Sequence, residues 1–61
     1  MKKDFLTQLR VTNDLEQLVG QLKEEFENAV GDDAIEKARV KYVNATLAYA
    51  ESVIELKALI S

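Results

Sequence analysis

The chain has 61 residues, eight Lys plus Arg against eleven Asp plus Glu, a net charge of −3, and no Cys, His, Pro or Trp. A chain this short makes one domain and buries too small a fraction of its surface for a secure core unless something staples it. Disulfides and thiolate zinc sites need Cys, and the commonest metal ligand and general base is His, so association with another chain is the staple left to it.

The acidic balance argues against a nucleic-acid binder, whose affinity comes from clustered Lys and Arg that release counterions. Met1-Lys2-Lys3 could open a signal peptide. However, Asp4, Thr7, Gln8 and Arg10 follow with no apolar run among them, so the apolar region of such a peptide is missing. No stretch approaches the roughly 20 apolar residues of a membrane span. The expectation is a cytoplasmic protein forming a single helical-hairpin domain over 1–61.

Phe5, Leu9, Thr12, Leu15, Val19, Leu22, Phe26 and Ala29 recur at alternating spacings of three and four, which predicts a helix over 3–30 with one apolar stripe. Thr12-Asn13-Asp14 with Glu16 could instead cap a helix that starts there, making 1–11 a separate arm; the unbroken stripe from Phe5 to Leu22 favours one continuous helix. Gly20 inside it costs about 1 kcal/mol relative to Ala, and it reads as an accident, a close helix crossing, or a place where a partner's backbone approaches.

Val30-Gly31-Asp32-Asp33 is the one punctuation mark. It predicts a turn over 31–33, with Gly31 closing the first helix and Asp33 capping the second in a box with Glu36. A short connection makes the helices antiparallel neighbours. The second helix, over 34–60, carries the stripe Ile35, Ala38, Tyr42, Ala45, Tyr49, Val53, Leu56 and Ile60. The antiparallel register then sets Leu22 near Tyr42, Val19 near Ala45, Leu15 near Tyr49 and Phe5 near Ile60.

That second helix is apolar around most of its circumference. Val40, Val43, Leu47, Ala50, Ile54 and Ala58 form another set at helical spacing, leaving only a narrow polar strip of Lys37, Lys41, Asn44, Glu51 and Glu55, with Ala48 among them. The first helix can cover one of the two apolar sides. The other would be a large exposed patch on a monomer, which predicts a homo-oligomer, most simply a dimeric four-helix bundle with those six residues at the interface. The competing expectation reserves this face for a different protein.

Nucleophilic catalysis lacks both Cys and a His base. The carboxylates Glu24, Glu25, Glu27, Asp32 and Asp33 read as a solvated face and a helix start rather than as acid and base in a pocket. Asp14 with Glu16, or Asp32 and Asp33 with Glu36, could supply oxygens but do not have calcium-loop spacing, and the two glycines lie too far apart for a phosphate loop. No enzyme activity, metal or cofactor is expected. The most suggestive polar cluster is Lys37, Arg39 and Lys41 with Tyr42, which could hold a nucleotide, another small anion or an RNA loop by charge and stacking. Its plainer reading is ion pairing across the turn with Glu24, Glu25 or Glu27. Tyr42 and Tyr49 are expected in the inner stripe with their hydroxyls at its rim.

No family motif identifies the chain. In outline, a length near sixty and two helices joined by a short acidic turn, it is similar to the Rop-type plasmid copy-control proteins. That architectural likeness implies a dimeric hairpin that binds paired RNA loops, and fold alone does not carry function. The leading expectation is a small oligomeric, non-enzymatic protein that regulates, inhibits or scaffolds a partner protein through a helix face. The alternatives are an oligomer holding a nucleotide or other anion between subunits, and an RNA-binding hairpin of Rop type.

Overall fold

The computed structural model describes residues 2–60, with side chains from residue 4 onward. Helix α1 spans Lys2–Asn28 and helix α2 spans Asp32–Ile60. They pack side by side as an antiparallel hairpin whose Cα trace measures 47 × 14 × 10 Å. The chain is therefore all-helical, as the two stripes require.

Helix α1 runs unbroken through Thr12-Asn13-Asp14. Thr12 does not cap a new helix. Its hydroxyl donates to the Gln8 carbonyl one turn back (2.8 Å), and the side chain is buried at 5% exposure.

The turn lies two residues earlier than the sequence predicts, over 29–31. Helix α1 stops at Asn28, and the Ala29 amide donates to the Phe26 carbonyl (3.3 Å), a contraction typical of a last helical turn. Gly31 takes φ = +94°, which a side chain would strain. Its own carbonyl accepts from the Ile35 amide (2.9 Å) and so starts α2. Consequently Asp32 and Asp33 both sit in the first turn of α2, where carboxylates complement the positive end of the helix dipole. The expected box between Asp33 and Glu36 gives way to a pair between Glu36 and Arg39.

On α1 the facing surface is the predicted stripe: Phe5, Leu9, Leu15, Val19, Leu22, Phe26 and Ala29 are half-buried and Thr12 is buried. On α2 the stripe shifts. Ala38, Tyr42, Ala45, Ala48, Tyr49, Ser52 and Leu56 face α1, whereas Ile35, Val53 and Ile60 are exposed. Ser52, at 4% exposure, takes the place expected for Val53.

Ser52 tolerates burial because a small network satisfies it. The Gln8 side-chain amide donates to Ser52 Oγ (2.8 Å) and lies 3.3 Å from the Ser52 carbonyl. Thr12 Oγ1 and Ser52 Oγ are 2.6 Å apart. Since the Thr12 hydroxyl proton goes to the Gln8 carbonyl, the Ser52 hydroxyl is the donor to Thr12. Each proton is used once, and no buried side-chain N or O among the described residues is left unpaired.

Two further contacts fix the register along the rod. Phe26 and Tyr42 stack near the turn, with ring centroids 6.1 Å apart and planes 17° from parallel. Farther along, the Tyr49 hydroxyl donates to Glu16 Oε2 (3.2 Å), placing it at the rim of the interface. Gly20 is not at a close crossing of the two helices: a Cβ added there would meet nothing within 4 Å.

Candidate interaction face

An α-helix turns about 100° per residue. On that geometry Val40, Val43, Leu47, Ala50 and Ile54, spaced three and four apart, make one row, about 160° around α2 from the row that packs on α1. The structure accordingly leaves the row uncovered. Leu47 is 58% and Ile54 68% exposed, and Val40, Val43, Ala50 and Ala58 are exposed as well.

Beside this row runs the polar strip of Lys37, Lys41, Asn44, Glu51 and Glu55, with half-buried Ala48 at its middle. Its first half is basic and its second acidic. Within the hairpin, Lys37, Lys41, Glu51 and Glu55 have no ion-pair partner among the described residues.

The cluster of Lys37, Arg39, Lys41 and Tyr42 is divided by the helix. Lys37 and Lys41 share the strip, but Arg39 lies about 200° from each, since two residues separate it from either. Arg39 instead grips Glu36 with two hydrogen bonds, one of them Nε to Oε2 at 3.1 Å. The hydrogen bond and then the charge of Arg39 hold the exposed Glu36 carboxyl below the usual range, and the Arg39 guanidinium is raised in return. Tyr42 is half-buried against Phe26.

Helix α1 is less purely polar on its outside than the sequence reading holds. Leu6, Val11 and Leu18 are exposed. Val11 and Leu18, seven residues apart, lie on the same flank of α1. That spacing was the available signal, hidden because both residues border the core stripe.

At the Tyr49 rim, the Glu16 charge and then its hydrogen bond keep the phenol protonated, raising it above the ordinary tyrosine value. Among the described residues no three acidic side chains converge as a metal site, and no helix is long and apolar enough to cross a membrane. No family model, curated protein or solved structure matches the chain.

Proposed function

We propose that this chain is a non-enzymatic interaction protein: a small helical hairpin that self-associates and regulates, inhibits or scaffolds a partner protein through a helix face. One observation carries the proposal. Val40, Val43, Leu47 and Ile54 form an apolar row on the side of α2 turned away from α1, and nothing in the hairpin covers it. Soluble monomers rarely leave a row of this length open to water. With that row engaged, the flank of α1 that carries exposed Val11 and Leu18 is the surface left for a second protein.

The alternative, a nucleotide, small anion or RNA loop held at Lys37, Arg39, Lys41 and Tyr42, has less behind it. Arg39 is already paired with Glu36 and points away from the two lysines, and Tyr42 is stacked on Phe26.

Photo-crosslinking in the cells that make the protein tests the role directly. With benzoylphenylalanine in place of Leu47 or Leu18, irradiation is expected to give protein adducts at both positions. Adducts at neither position, from a variant that is expressed and helical, would overturn it.

A further inference from the structure

Resting on that interaction role, we infer that the occupant of the outer α2 row is a second copy of this chain, its α2 antiparallel to the first across a two-fold axis at the level of Asn44 to Ala48.

Surface area is the first argument. A folded monomer of 6.9 kDa is expected to expose about 4,000 Å². This hairpin exposes 4954 Å². The excess of about 950 Å² matches the roughly 800 Å² that each partner gives to a standard protein interface. None of the large side chains among the described residues is fully buried in the isolated hairpin. One partner of the same size would account for what the single chain leaves open.

The row also suits itself. Val40, Val43, Leu47, Ala50 and Ile54 alternate spacings of three and four, the rhythm of a helix–helix seam. Small Ala50 lies between Leu47 and Ile54, so a two-fold pairing can set a large residue against a small one near its centre. A two-fold contact uses the same patch on both copies, so a single row suffices.

Charge then selects the direction. In an antiparallel pair the polar strips of the two copies run along the same side of the seam. Lys37 and Lys41 of one copy therefore come level with Glu51 and Glu55 of the other, and the pairing occurs twice. Like most charges of the hairpin, these four have no ion-pair partner among the described residues, so all of them are free to pair between copies. A parallel pair would instead set the two strips on opposite sides of the seam with their basic ends at one level, so neither lysine would come level with Glu51 or Glu55 of the other copy and the complementary pairing would be lost.

The test uses the absence of Cys from the chain. Single nitroxide labels are placed on Asp33→Cys and, separately, on Thr46→Cys, both exposed and outside the row, and the distance between copies is read by pulsed electron resonance. At ~1.5 Å per residue, antiparallel packing puts the Asp33 labels about 40 Å apart and the Thr46 labels within about 20 Å. Similar short distances at both positions would mean parallel helices. That result would overturn the inference and leave the interaction role intact.

The charge argument has its own arm. Lys37→Glu with Lys41→Glu is expected to weaken self-association about tenfold or more at low salt. Adding Glu51→Lys and Glu55→Lys to the same chain should restore it. An unchanged dissociation constant in the double variant would overturn the pairing of the strips. A chain that stays a monomer while its Leu47 photoadduct is a different protein would overturn the second copy as occupant and the self-association in the proposed role, and would leave only the capture of a partner protein through a helix face.

Discussion

Ser52 shows how one small polar residue can sit in a core built for apolar ones. Its hydroxyl is held by Gln8 and Thr12 from the opposite helix, in bonds of 2.8 and 2.6 Å. Buried and satisfied polar groups contribute modest net stability but cost their full desolvation when a partner is lost. Ser52→Ala is expected to destabilise the protein by about 1–2 kcal/mol, with Thr12 and the Gln8 amide losing partners. A thermal melt at fixed protein concentration reads this as a drop of several degrees. An unchanged midpoint would mean that the network adds nothing. Tyr49 makes a second prediction. The nearby Glu16 favours the protonated phenol, so the contribution of this contact to folding is whole below the ordinary tyrosine value of about 10. It is lost as pH rises through the higher folded value. In a Tyr42→Phe background, absorbance titration at alkaline pH is expected to show Tyr49 ionising above that value. Glu16→Gln should return it toward normal, and no difference between the two would refute the pairing.

At the scale of the helices, both elements and the turn between them are legible in the sequence, because stripes at three-four spacing and a midpoint glycine are strong signals. The exact face of α2 is not. Hydropathy ranks Val53 over Ser52, and only the pairing of two helices shows that Gln8 and Thr12 meet Ser52 at that level. The turn shifts by two residues for a similar reason, since the Gly31 carbonyl, which no propensity scale weighs, starts α2 early. The outer row of α2 is legible because its residues are apolar and regularly spaced, whereas exposed Val11 and Leu18 of α1 are hidden because they border the core stripe. Gly20 offers an element-scale prediction. A methyl group there meets open space, so Gly20→Ala is expected to stabilise the protein by about 1 kcal/mol through helix propensity alone. A melting point that falls instead would reveal a close approach at Gly20 in the assembled protein.

The whole molecule is a slender rod, 47 Å long and 14 Å or less across its Cα trace. A rod of 61 residues has one line of contact between its helices, and that contact leaves Ala45 as the only buried hydrophobic residue among those described. Such a fold is marginal alone. A partner on the other side of α2 converts one line of contact into several, which is how helical bundles reach a stable core. In the proposed two-fold pair, Leu47, 58% exposed in the single hairpin, would be central. Leu47→Glu buries a charge there without a counterpart, and is expected to break the assembly. Retention of both assembled mass and helicity by this variant would contradict the two-faced description of α2.

The most direct test is the mass of the unmodified protein in solution, measured by light scattering over a concentration series with circular dichroism in parallel. The expected result is a strongly helical species of twice the 6.9 kDa chain mass, dissociating on dilution with loss of helicity. A fully helical species with the mass of one chain at every concentration would contradict it, because the hairpin would then be stable with its outer row open to water.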